Sequence, residues 1–155
     1  MFTEPVPLFS LYLAWAAALV PLAAFGVIMV FLRRLPRAAA GVSVGSITLS
    51  LICAVSLLAR HLHMDGPLES TVAWVVSGDF EIPVGVLLDP LSLIMLVTVA
   101  FIAFAVQLYS LAYMAGDPGY ARYFGFMSLF AWAMISLVLA PNILQLFIFW
   151  EIVGL

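Results

Sequence analysis

Polar positions are sparse in this chain and fall in clusters, with long apolar runs between them. About 20 apolar residues in a helix suffice to cross a hydrocarbon layer about 30 Å thick. Runs of that kind predict membrane spans over 10–32, 38–59, 91–114 and 123–140, and a fifth run opens at 142 and continues to 155. The first run contains Pro21, which a membrane helix tolerates when a neighbour repairs the lost hydrogen bond. Asp89-Pro90 opens the third: Asp is a good N-cap, and Pro fits the first helical position. Ala140-Pro141-Asn142 reads as a tight turn between the last two runs. The rival reading, one helix from Tyr123 to Trp150, would be about 42 Å long and would hold Pro141 in its interior. The expected fold is an all-α membrane protein. It is a polytopic transmembrane helix bundle of four full spans plus a truncated fifth, with residues 1–155 forming a single transmembrane region.

Between the second and third spans, residues 60–89 form the one long non-helical segment. From Thr71 to Gly85, apolar residues alternate with others on both sides of Ser77-Gly78-Asp79. That pattern predicts a short β-hairpin with a glycine turn. Pro83 confines its strand to an edge. A two-stranded hairpin is marginal alone, so it is expected to lean on the helix ends or on a partner subunit.

Composition agrees. Hydrophobic residues make up 66% and charged residues 8%, with a mean hydropathy of +1.26, where a soluble domain carries charge at roughly a quarter of its positions. A water-soluble globule is excluded. There is no lysine, and the arginines are Arg33, Arg34, Arg37, Arg60 and Arg122, so no basic patch exists for nucleic acid. Cys53 is the single cysteine; lying in an apolar run, it reads as a small buried hydrophobe. Residues 1–8 carry Glu4 and no Lys or Arg, unlike a cleavable signal peptide. Arg33, Arg34, Arg37 and Arg122 fall on one side of the alternating spans and Arg60 on the other. The positive-inside bias then puts the N-terminus and the 60–89 loop outside. That loop holds Asp65, Glu69, Asp79, Glu81 and Asp89.

Most polar motifs read as structural. Gly41-Val-Ser-Val-Gly45, continued by Ser46, Ser50 and Ala54, has the spacing of closely packed membrane helices; packing inside the bundle is favoured over a dimer face. His61 and His63 could share one face of a strand, but with no other His and no Cys nearby they read as interfacial side chains rather than a metal site. Asp117-Pro-Gly-Tyr120 has the chemistry of a turn. Gln107 with Ser110, and Ser128 with Ser136, share helix faces and read as adhesion between helices.

Glu151 is the exception. If the fifth span starts at Asn142, Glu151 lies about 13 Å along its axis, near the middle of the hydrocarbon layer. A charged carboxylate there costs several kcal/mol unless it is protonated, paired or hydrated, and an acid in that place points to an ion or proton pathway. Gln107, Gln145 and Ser128 are candidate polar supports. A helix from 142 to 155 is short for a span and would end inside hydrocarbon, so the chain reads as the N-terminal part of a longer protein.

Several stretches carry a resemblance: Leu88 to Leu96 (Leu-Asp-Pro-Leu-Ser-Leu-Ile-Met-Leu), Val106 to Met114, Gly116 to Phe124, and most closely Leu137 to Leu155, ending Phe-Trp-Glu-Ile-Val-Gly-Leu. They resemble the antiporter-like L subunit (chain 5 type) of respiratory complex I, NADH:quinone oxidoreductase, well over residues 82–155 and loosely before that. Pro141 departs from the family, where an acidic or amide residue is more usual. The resemblance implies proton translocation driven by quinone reduction elsewhere in the complex. It assigns proton transfer to Glu151, matching a fifth-helix glutamate that couples to a lysine on a later helix. It also implies no cofactor in this chain, other membrane subunits and the lipid bilayer as partners, and the bacterial cytoplasmic membrane as location. No nucleophile–base constellation appears, so no catalytic site is expected, and without a lysine these residues alone are expected to pump nothing. A non-catalytic helical scaffold remains an alternative. So do the related cation/proton antiporters, hydrogenases and inorganic-carbon uptake complexes.

Overall fold

The computed structural model describes residues 6–61, 66–77 and 80–154. Helix α1 (Val6–Val27) runs into a π-helical turn (Ile28–Leu32), followed by α2 (Pro36–His61), strands β1 (Leu68–Ser77) and β2 (Phe80–Leu88), and helices α3 (Pro90–Tyr113), α4 (Tyr120–Val138) and α5 (Ile143–Gly154). The first four helices are long and apolar enough to cross a membrane, and α5 is shorter. The architecture is a helix bundle with a two-stranded antiparallel sheet inserted between α2 and α3. One end of the bundle carries the hairpin and the α4–α5 turn (the hairpin face). The other carries the α1–α2 and α3–α4 links, with Arg33, Arg34, Arg37 and Arg122 (the arginine face).

Small residues set the packing. Ala14, Ala18, Ala54, Ala100, Ala103 and Ala131 are buried in the core beside Ile47, Leu57, Leu93, Leu96, Ile135 and Leu139. Alanines let membrane helices approach closely, where van der Waals contact rather than water exclusion holds them together. Large apolar side chains such as Val30 and Phe31 point outward instead, as a lipid-facing surface requires. Near the arginine face, Gly125 of α4 meets the π turn. A Cβ there would lie 2.9 Å from Met29 Cε and 3.3 Å from Ile28 Cγ2.

Pro21 is fully buried in α1. Proline has no amide hydrogen, so the carbonyl four residues earlier, Ala17, loses its helical partner. The Ser50 hydroxyl of α2 donates to that carbonyl at 2.8 Å, so the repair comes from the adjacent helix. Ser50→Ala should destabilise the bundle by about 1 kcal/mol. In a Pro21→Ala background the helix supplies its own donor, and the cost should vanish. Detergent unfolding of the four members of this cycle measures it; an equal cost in both backgrounds would contradict the assignment.

The glycine pair of α2 is not packed inside the bundle. Gly41 and Gly45 are exposed, and a Cβ at either would meet nothing within 4 Å. The buried row is Ala39, Ser43, Ser46, Ser50, Ala54 and Leu57. A row of small residues does face the bundle, but the glycines lie on the outward side of the helix, away from that row.

Local signals elsewhere act as their chemistry dictates. At α3, the Ser92 amide donates to Asp89 Oδ1 (2.6 Å) and the Asp89 amide to Ser92 Oγ (2.9 Å), a reciprocal capping box with Pro90 at the first helical position. In the α3–α4 link, Asp117 Oδ1 accepts from the Gly119 amide and the Asp117 carbonyl from the Tyr120 amide at 3.1 Å. Gly116 there takes a φ of 90°, a conformation natural to glycine.

The hairpin pairs Leu68 with Leu88 through Ser77 with Phe80. Trp74 has no partner in this register: Ala73 faces Pro83 and Val75 faces Ile82. A bulge at that point suits Pro83, which has no amide hydrogen for the ladder. Gly78 and Asp79 at the expected turn, and His63, lie outside the described residues. Val86 and Leu88 are buried against the helix core.

Candidate functional site

The outer edge of β2 is held by the start of α5. Asn142 Oδ1 accepts from the Gln145 amide (2.8 Å), as an N-cap does, and Asn142 Nδ2 donates to the Pro83 carbonyl (2.8 Å). The Gln145 side chain completes the arrangement. Its Oε1 accepts from the Gly85 amide at 2.8 Å, and its Nε2 donates to the Gly85 carbonyl at 2.9 Å. One turn away, the Leu87 amide donates to the Leu139 carbonyl at 2.8 Å. Residues 83, 85 and 87 share one strand edge, so each polar group that Pro83 can offer and both of Gly85 meet partners from residues 139–145. A side-chain amide thus pairs with Gly85 as a neighbouring strand would. Buried backbone groups need such partners, and the pairing fixes where α5 begins and which way it faces.

Glu151 follows from that anchor. It is the ninth residue of α5, about 12 Å along the axis from Ile143. Gln145, Ile148, Phe149 and Ile152 turn toward the bundle and the hairpin, with Phe149 edge-on to Trp132 of α4 at 5.1 Å. Phe147, Trp150 and Glu151 are exposed on the other side. Among the described residues the Glu151 side chain has no hydrogen-bond or ion-pair partner.

The other sequence-predicted site residues are placed elsewhere. Gln107 and Ser128 meet at a buried junction of α2, α3 and α4. There Ser43 Oγ lies 2.9 Å from Gln107 Oε1, to which it is placed to donate, 2.7 Å from Ser128 Oγ and 3.0 Å from the Phe124 carbonyl. Gln107 Nε2 is buried without a partner. On the arginine-face side of this junction, Ser110 Oγ lies 2.9 Å from Tyr123 Oη. Gln145 is committed to Gly85. The structure therefore brings Gln107 and Ser128 together and brings none of the three to Glu151.

Ser43 and Asn142 are the participants that sequence reading passes over. Ser43 sits between the two glycines and lies in register with Ser46 and Ser50, a signal available once the buried row of α2 is known. Asn142 stands three residues before Gln145, the spacing of a helix-capping pair. Among the described residues no group of three potential metal ligands converges.

Residues 74–124 match the family described as NADH-Ubiquinone oxidoreductase (complex I), chain 5 N-terminus. Similar proteins include NAD(P)H-quinone oxidoreductase subunit 5 of the Chlorokybus atmophyticus chloroplast, 40% identical over 107 residues (69% of this chain, 16% of that protein). The chloroplast subunit 5 of Anthoceros angustus is 35% identical over 150 residues (92% of this chain, 20% of that protein). Chain 5 of the Synechocystis sp. enzyme (strain ATCC 27184 / PCC 6803 / Kazusa) is 39% identical over 106 residues (68% and 16%). This chain spans a fifth or less of the length of these relatives. Four apolar helices of spanning length, in a sequence similar to theirs, make it an integral membrane protein. By its match to the family and its likeness to these relatives, the chain belongs to the complex I chain 5 (L-type) subunits, in their N-terminal region.

Proposed function

We propose that this chain is the N-terminal part of a membrane subunit through which quinone reduction elsewhere in a complex I assembly drives protons across the membrane, and that Glu151 is a proton-transfer group in it. The observation that carries this reading is Glu151 itself. It is the one acid on α5, a helix apolar apart from it and Gln145, and lies about 12 Å from an α5 start that hydrogen bonds fix. Facing lipid, it would cost several kcal/mol. Another protein element or water therefore covers it in the assembled subunit, and a covered, hydrated carboxylate at that depth is what a proton relay needs. The chain supplies the acid and its scaffold. The other membrane subunits of the complex, together with the rest of this one, supply the partners.

The arginine face is inward in this reading and the hairpin face outward, since arginines at the ends of membrane helices favour the inner side. The names of the relatives, NAD(P)H-quinone oxidoreductases, support NAD(P)H as the electron source and quinone as the acceptor. Respiring membrane vesicles carrying the full-length protein with Glu151→Gln provide the test. Quinone-dependent acidification should collapse, and unchanged acidification would contradict the assignment.

A further inference from the structure

At the arginine face, two exposed arginines from different elements line one cavity. Arg33 follows the π turn that ends α1, and Arg122 lies in the first turn of α4. With Pro118, Gly119 and Ala121 they border a cavity of about 250 Å³. Packing brings them together: Ile28 of the π turn, Ala39 of α2 and Ala121 of α4 form one buried cluster directly beneath. Neither guanidinium has a hydrogen-bond or ion-pair partner among the described residues.

Arg33 and Arg122 are both exposed, so their charges are hydrated and open to an anion. Two arginines border the same cavity, and Arg122 sits where the helix dipole disfavours positive charge. The start of α4 has no acidic residue in its first turn and no side-chain cap. In the adjoining link, Asp117 has Oδ1 engaged by the Gly119 amide. The preference of arginines for one side of the membrane explains why they lie at this face, but not why two of them share a cavity. A single bound anion would relieve each of these features.

We infer that this cavity binds the phosphodiester headgroup of an anionic membrane phospholipid, with Arg33 and Arg122 as the binding residues. Lipid is the occupant because the site lies at the end of the spanning helices. Val30 and Phe31, exposed at 70% and 74%, give acyl chains an apolar surface beside Arg33. Basic pockets between membrane helices recognise headgroups in this way, each arginine worth about fivefold in affinity, and the planar guanidinium grips a phosphate in two-pronged fashion.

Native mass spectrometry of the detergent-purified full-length protein, titrated with phosphatidylglycerol and in parallel with phosphatidylcholine, reads occupancy directly. Phosphatidylglycerol should bind in preference to phosphatidylcholine. Arg33→Gln with Arg122→Gln should weaken phosphatidylglycerol binding by about 30-fold, whereas Arg34→Gln with Arg37→Gln, the same change of charge, should leave it within about twofold. An Arg33→Lys, Arg122→Lys variant keeps the charge and the fold and should show an intermediate loss, which preserves the test should the Gln pair misfold. Equal losses from both Gln pairs, or equal binding of the two lipids, would reduce the effect to general surface charge and overturn the assignment. Displacement of lipid by millimolar inorganic phosphate would overturn it in favour of a soluble anion.

Discussion

Replacing Glu151 with Gln should abolish quinone-driven proton transport by the assembled complex, lowering flux by roughly two orders of magnitude, the scale on which a positioned proton-transfer group acts. Glutamine keeps the size of the side chain and its hydrogen-bonding capacity but can neither bind nor release a proton. Because the Glu151 side chain has no polar partner among the described residues, the substitution breaks no contact seen in the structure, and α5 should keep its place. Hydrogen-exchange protection at Gly85 and Leu87 should therefore be unchanged. Glu151→Asp retains the titrating group on a shorter stem and should retain part of the flux. A merely structural Glu151 would give the opposite pattern, with flux and α5 packing declining together in both variants.

The largest structural effect should come from Gly85→Ala. A Cβ at Gly85 would sit 2.1 Å from the Ser70 carbonyl oxygen and 2.8 Å from Thr71 Cα. Both are backbone atoms of the paired strand, so no side-chain rotation relieves the clash. The strand must shift, and the shift removes the two hydrogen bonds to Gln145. Overpacking together with the lost bonds should cost roughly 3–5 kcal/mol. Gln145→Leu tests the same contact from the helix side. It fills the space but leaves the Gly85 amide and carbonyl without partners, at roughly 2–3 kcal/mol. Thermal unfolding in detergent, with hydrogen exchange at Gly85 and Leu87, measures both. Since the anchor sets the start of α5, either variant should also displace Glu151 and reduce proton flux. A Gly85→Ala protein with unaltered stability and exchange would contradict the anchoring role.

What the sequence makes legible here is mostly local. The N-cap at Asp89, the turn at Asp117 and the break between α4 and α5 each depend on residues within four positions of one another, and each is present. The hairpin is legible from alternation, but the bulge at Trp74 is not, because it depends on which residue faces Pro83. Pro21 announces a missing hydrogen bond without naming its donor, since Ser50 is distant in sequence and only helix packing brings it there. The glycines of α2 show the same limit in another form. Spacing reveals that a row of small residues exists, while the row that turns inward is decided by the neighbouring helices. Gln107, Gln145 and Ser128 are legible as polar positions in apolar runs and as candidate supports of Glu151; all three are buried. Their partners were not legible, and none of them is Glu151.

A proton-transfer role requires α5 to hold Glu151 within the membrane, and cysteine accessibility tests that most directly. In a cysteine-free version of the full-length protein, the Glu151→Cys variant is treated with a charged, membrane-impermeant maleimide, with Glu69→Cys on β1 and Asp117→Cys in the α3–α4 link as exposed references at opposite faces. The references should each react from one side of the vesicle, and position 151 should stay unlabelled from both. Labelling at 151 as fast as at either reference would place that residue at the membrane surface and contradict the proposed role.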